Sequence, residues 1–217
     1  NVFTTIDIDI QQAAERGVHE TITKIESTTH QQGLQVAVII ADSSSGEILA
    51  MIGDRNPTYA GFNRALDTRR PVGSVIKPFI YAYALAQPER FSLATKLTDA
   101  QKTWKDAQGK VWQPRNFDGR EHGEVSMLDA LIRSLNLATV DLGMKLGVEN
   151  VAKYLERLRG SEEVRAYPSI FLGAVEMSPF RLAEMYTIIA NDGFRIPLRA
   201  ITAVTNRSQR KLNRYEL

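Results

Sequence analysis

The sequence predicts a mixed α/β domain, more narrowly α+β: an antiparallel sheet flanked by helices, with an all-helical lobe inserted. Three observations carry this. Alternating or β-branched apolar runs crowd the start of the chain, in TTIDIDI, LQVAVIIAD and EILAMIG. Helical patterns with capping residues dominate the middle. A strand-like run, FRIPLRAITAVTN, returns near the end. Residues 1–217 therefore read as one domain, with 1–70 and 194–217 mainly sheet and 71–193 mainly helical.

TTIDIDI alternates and predicts a short strand. Asp9 is placed to cap a helix from about Ile10 to Glu26, with Gly17 as its weak point. Gln31 to Gly33 is a turn. LQVAVIIAD and EILAMIG, joined by the polar turn SSSG, predict a hairpin at the centre of the sheet. Asp54 to Arg70 shows no clear period. Pro71 and Gly73 then break the chain before a helix from Ser74 to Ala86, apolar on all sides and so expected to be buried. Pro78 sits where amide donors are spare.

Ser92 to Gly123 is a polar excursion. Within it KTWKDAQGKVWQP predicts a small hairpin turning near Gln108-Gly109, with Trp104 and Trp112 packed together. Ser126 caps a helix through Arg133. A break at Ser134 to Asn136 precedes a helix to Leu146, closed by Gly147. VENVAKYLERL is helical. Ser178-Pro179 starts a helix that ends before Gly193, and FRIPLRAITAVTN predicts a strand pair near the sheet edge.

Composition narrows the function. Net charge is +2, from 27 basic and 25 acidic residues, which argues against a nucleic-acid partner. The basic knots Arg69-Arg70 and Arg207 to Lys211 read as solvated faces. With no cysteine, neither a disulfide nor a thiolate metal site can form, and the composition suits an oxidising compartment. No apolar run is long enough for a membrane span. The opening, NVFTTIDIDIQQAAE, lacks a signal-peptide pattern and suggests a piece excised from something longer.

The residues that could carry chemistry lie in RRPVGSVIKPFIYAYAL. Ser74 and Lys77 are three apart, hence neighbours on one helix face. A neutral Lys77 could take the Ser74 proton and make the alcohol a nucleophile. The backbone N–H of Ser74, at the helix mouth, could face an oxyanion. Ser134-Leu135-Asn136 adds a hydroxyl able to relay a proton and an amide able to hold a substrate carbonyl and steady a lysine. Read singly, Ser74 is also an ordinary helix cap, Lys77 a snorkelling surface residue, and Ser134 to Asn136 an interhelix turn. His19, His30 and His122 have no partner at metal-binding spacing and read as structural or surface residues. Asp7, Asp9 and Asp42 read as turn or cap residues. A cleft between lobes is the expected site.

Three stretches, RRPVGSVIKPFIYAYAL, QPRNFDGREHGEVSMLDALIRSLNLATVDLGMKLG and GAVEMSPFRLAEMYTIIANDG, resemble the transpeptidase domain of a class A, bifunctional penicillin-binding protein. VAVIIADSSSGEILAMIGD fits the same domain. The resemblance implies a penicillin-binding/serine beta-lactamase-like fold. It implies Ser74 as acylated nucleophile, Lys77 as general base, Ser134 as proton shuttle and Asn136 as substrate-positioning amide. It further implies D,D-transpeptidation of peptidoglycan stem peptides from a D-alanyl-D-alanine donor, trapping by beta-lactams, and no metal or organic cofactor. A membrane-anchored parent with a glycosyltransferase domain, divisome or elongation partners, and a place at the periplasmic face of the bacterial inner membrane follow from the same resemblance.

The third signature of such domains, lysine, threonine or serine, then glycine, does not occur in the chain; Lys102-Thr103 is followed by Trp104. That strand supplies an oxyanion donor and recognises the substrate carboxylate. The resemblance therefore implies a C-terminal remainder carrying it, together with the last strands of the sheet. A beta-lactamase, a penicillin-sensing receptor and a non-catalytic scaffold that binds wall peptide remain alternatives at this point.

Overall fold

The computed structural model describes residues 1–105, 111–160, 162–208 and 211–214. They divide into two compact units, Asn1–Arg70 with Met177–Leu217, and Pro71–Glu176.

The first unit holds the strands β1 (Val2–Thr4), β2 (Val38–Ala41), β3 (Ile48–Ile52), β10 (Ile201–Thr205) and β11 (Lys211–Arg214), with the helices α1 (Ile8–Thr29), α2 (Arg64–Asp67) and α7 (Pro179–Ala190). The predicted hairpin is present, β2 antiparallel to β3 with Val38 opposite Ile52. It turns where Asp42 Oδ1 accepts from the amides of Ser44 and Ser45. It is a two-stranded sheet, however, not the centre of a larger one. A second sheet runs β1-β10-β11, and a single parallel bridge between Glu47 and Arg199 links the two. The predicted pairing inside FRIPLRAITAVTN does not form. β10 pairs instead with β1 and β11, while Pro197, which has no amide donor, lies before it.

The strand expected over TTIDIDI stops at Thr4, because Asp7 rather than Asp9 caps α1. Asp7 Oδ1 accepts from the amides of Asp9 and Ile10. Gly17 does not interrupt this helix, which runs on to Thr29. Ser178 caps α7 through the Arg181 amide. Ile48, Ala50 and Ile52 of β3, with Ile22, Ala65 and Met185 of the three helices, form the unit's core.

The second unit is built on α5 (Asn136–Leu146), whose residues Leu137 to Gly143 are all buried. Around it lie α3 (Lys77–Leu85), α4 (Met127–Ile132), α6 (Val148–Arg159) and the 3-10 turn Pro168–Leu172. Gly143 lets the Phe171 ring close on α5: a Cβ there would stand 2.4 Å from the ring. The apolar α3 is buried as its composition predicts, through Phe79, Ile80, Tyr81 and Ala84.

The polar excursion proves to be held by a ladder that sequence patterning missed. β5 (Lys96–Asp99) pairs antiparallel with β8 (Gly123–Ser126), Leu97 opposite Val125. Each strand has only four residues and alternates over too short a length to stand out. β6 (Trp104–Lys105) pairs with β7 (Val111–Trp112), and Trp104 packs on Trp112 at 5.3 Å between ring centres. The expected turn at Gln108-Gly109 lies outside the described residues. The two-residue strands Arg70–Pro71 and Glu176–Met177 complete the set as β4 and β9.

Candidate active site

Ser74 sits in a 3-10 turn, Gly73–Ile76, and α3 proper begins at Lys77. The sequence predicts an α-helix from Ser74. The tighter winding comes from the bond between the Lys77 amide and the Ser74 carbonyl. With three residues per turn, positions i and i+3 stand one above the other, so the serine and lysine share a face more closely than on an α-helix. The Ser74 amide lies in the first turn, where donors have no intrahelical partner.

The entry to that turn is fixed from outside. Val72 N donates to Val175 O, and Gly73 N donates to Gly173 O, both at 3.1 Å. Gly73 and Gly173 have φ of +62° and +79°. A Cβ on Gly173 would stand 2.0 Å from the Gly73 carbonyl oxygen, so only glycine lets the two backbones meet.

Ser134 follows the last turn of α4. Its amide donates to Leu131 O and the Leu135 amide donates to Ala130 O, at 3.0 and 2.9 Å. This is the Schellman closure of a helix, usually made by a glycine. Here a serine takes the left-handed position, with φ of 52°. Leu135 is buried and anchors the turn, and Asn136 opens α5 immediately after it.

These elements deliver three of the predicted residues to one point. Lys77, only 1 % exposed, donates from Nζ to Ser134 O at 2.7 Å and to Asn136 Oδ1 at 2.7 Å, and lies 3.1 Å from Ser134 Oγ. Ser74, one 3-10 turn earlier, is exposed. Among the described residues, no hydrogen bond joins its hydroxyl to Lys77 or Ser134. Burial draws the Lys77 pKa down from 10.5 to about 8, against the opposing pull of the Asp99 charge. An amine with this pKa is neutral in part near neutrality, as a general base must be.

Asn136 is itself held. Its Nδ2 donates to Arg115 O at 2.8 Å, which turns its oxygen toward Lys77. The first amides of α5 have no local side-chain cap. Those of Asn136 and Leu137 donate to Asn116 Oδ1, and that of Ala138 to Asp99 Oδ1. Sequence reasoning missed Asp99 and Asn116, since no short spacing links them to the serine–lysine pair. Their signal is spatial: both are buried polar residues in a segment that reads as a solvated loop.

His122 is also part of this layer, with Nδ1 2.6 Å from Asp99 Oδ2 and Nε2 3.1 Å from Asp118 Oδ2. His19 lies on exposed α1, and His30 ends that helix with φ of 57°. Among the described residues there is no cluster of His, Cys, Asp and Glu able to hold a metal ion.

Residues 36–215 match the penicillin binding protein transpeptidase domain family. The chain belongs to that family. Penicillin-binding protein 1B of Vibrio cholerae serotype O1 is 41% identical over 204 residues, covering 94% of this chain and 26% of the relative. Penicillin-binding protein 1B of Escherichia coli K12 is 38% identical over 206 residues, covering 94% and 24%. The chain thus spans about a quarter of the length of these curated relatives. Among solved structures, penicillin-binding protein 1A from Haemophilus influenzae superposes with a TM-score of 0.76 at 29% identity, covering 83% of this chain and 27% of that one. Penicillin-binding protein A from M. tuberculosis, an imipenem acyl-enzyme complex, gives 0.77 at 22% identity over 99% of this chain and 57% of that one, a likeness of fold. The chain is a penicillin-binding transpeptidase domain of class A kind, and its helices and antiparallel strands are those of the penicillin-binding α/β fold.

Proposed function

We propose that this domain crosslinks peptidoglycan as a serine D,D-transpeptidase. The observation that carries the reading is the buried Lys77 amine, bonded to Ser134 and Asn136 one tight turn beyond the exposed Ser74 hydroxyl. Neutral Lys77 takes the Ser74 proton as Oγ attacks the carbonyl carbon of the penultimate D-alanine of a stem peptide. The Ser74 N–H receives the developing oxyanion. The carbon–nitrogen bond then breaks. Ser134 Oγ passes the proton from Lys77 to the departing D-alanine amine, leaving an ester on Ser74. An amine from a neighbouring stem attacks that ester, returns a proton through the same pair and releases Ser74. Asn136 holds the donor peptide's carbonyl and keeps the Lys77 amine in place.

Beta-lactams imitate the donor end, acylate the same oxygen and leave no free amine to depart. The chemistry needs neither metal nor organic cofactor. A second oxyanion donor is required, and the 217 residues contain no lysine–threonine–glycine or lysine–serine–glycine triplet to supply it. Tests of activity therefore use the full-length protein. Class A kinship supports a working domain at the periplasmic face of the bacterial inner membrane, in a membrane-anchored parent with a glycosyltransferase domain. Mass spectrometry after exposure to a labelled penicillin tests the reading. An adduct on Ser74, lost in Ser74→Ala, is expected. An unmodified Ser74 in the full-length protein would overturn it.

A further inference from the structure

We propose that Asn116 is a positioning residue that sets the orientation of Asn136, and through it the Lys77 amine. Asn116 is 6 % exposed and its amide is fully engaged. Oδ1 accepts from the amides of Asn136 at 2.7 Å and Leu137 at 3.2 Å. Nδ2 donates to Asp99 Oδ2 at 2.7 Å and to Arg120 O at 2.8 Å. The neighbouring carbonyl, Arg115 O, accepts from Asn136 Nδ2. Two consecutive residues thus grip Asn136 at its backbone and at its side chain. With Nδ2 committed to Arg115, Asn136 can present only its oxygen to Lys77.

The grip is itself anchored. Asp99 is fully buried and accepts from Asn116 Nδ2, from the amides of Ala138 and His122, and faces the His122 ring. The ionisable groups around this layer include Lys77, Tyr81, Asp99, Asp118, Arg120 and His122, and Asp99 and Asp118 bracket the imidazole. A four-bond asparagine of this kind has no spare valence, so any substitution must break either its contacts to the start of α5 or the bonds to Asp99 and Arg120 that anchor them.

The inference deepens the acyl-transfer reading, but one of its readouts is independent of it. The intact chain is labelled with ¹³C-lysine, and the Lys77 signal, assigned by its loss in Lys77→Arg, is titrated by NMR. In Asn116→Ala the amine keeps its burial but loses a fixed acceptor, so its midpoint falls below the wild-type value of about 8. A midpoint that stays in place, or climbs toward 10.5 because the site has merely opened to water, overturns the proposal. The acylation rate of the full-length protein with a fluorescent penicillin is expected to drop about 10- to 100-fold, as for other groups that orient a reacting residue from behind.

Should Asn116→Ala fail to melt cooperatively, Asn116→Asp takes its place. It keeps both acceptor contacts to α5 but sets a second carboxylate against Asp99. It should acylate more slowly than wild type, because the bond from Asn116 Nδ2 to Asp99 that anchors the grip is gone; a wild-type rate counts against the proposal. If wild-type protein is not acylated at all, the acyl-transfer reading fails, while the Lys77 titration still decides the role of Asn116.

Discussion

Ser134 joins backbone strain and chemistry in one residue. An L-residue in the left-handed region costs about 1–2 kcal/mol, and glycine avoids that cost at some expense in unfolded-chain entropy. Ser134→Gly is therefore expected to raise stability by up to about 1 kcal/mol in urea unfolding, while losing the hydroxyl near Lys77. Ser134→Ala loses the hydroxyl and keeps the strain. Both should cut acylation by about 100-fold or more if Ser134 relays the proton. Equal stability of the glycine and alanine variants would remove strain from the account. Lys77 sets a second expectation. With its pKa near 8, about one amine in ten is neutral at pH 7, and the acylation rate should rise about tenfold per pH unit below that point before levelling above it. A rate flat between about pH 6 and 8 would assign the proton transfer elsewhere.

At the scale of elements, the turn that presents Ser74 depends on a glycine outside the motif. Gly173→Ala would drive a methyl group into the Gly73 backbone, at 2.0–2.5 Å from its O, N and C atoms. The expected result is a folded protein that melts lower by a few kcal/mol, in the range of severe core substitutions, with acylation of Ser74 largely lost. A variant that acylates normally would show that the Gly73–Gly173 crossing is not what shapes the turn. Gly173 also marks where sequence reading stops. Ser74, Lys77, Ser134 and Asn136 could be singled out because each pair is close along the chain and lies at a helix boundary. The caps at Ser126 and Ser178 and the hairpin after Asp42 were legible for the same local reason. Gly173, Asp99 and Asn116 act on the motif from as far as about a hundred residues away along the chain, and no period or spacing encodes that. The β5–β8 ladder was hidden by a similar cause: four-residue strands bracket a polar stretch in which Asn116 and His122 bond to buried Asp99.

The whole molecule's stability against pH follows from groups in each unit. In the first, hydrogen bonds from Arg55, assisted by the Leu34 amide, hold the Glu26 carboxyl down from 4.5 to about 2 against its burial. A depressed carboxyl stabilises above its unfolded pKa, and that contribution is lost as pH falls toward the folded value. Urea midpoints should thus decline from about pH 4.5 to 2, and less steeply in Glu26→Gln. In the second unit the slope has the same sign but a different cause, a cation that burial disfavours rather than a carboxylate held by hydrogen bonds. Lys77 is held near 8 when folded and titrates near 10.5 when unfolded, so between these values the unfolded chain binds more protons and stability rises with pH. Tyr81, pushed up to about 12 by burial, opposes this only above its unfolded value of 10. The window from about pH 8 to 10 therefore belongs to Lys77. Wild-type protein should grow more resistant to urea across it, and Lys77→Met should not, whatever its absolute stability after losing three polar contacts. The burial that keeps part of the amine neutral for chemistry is the same burial that makes its charged form a liability to the fold near neutral pH. If both proteins respond alike across that window, the amine is not buried in solution as the site requires.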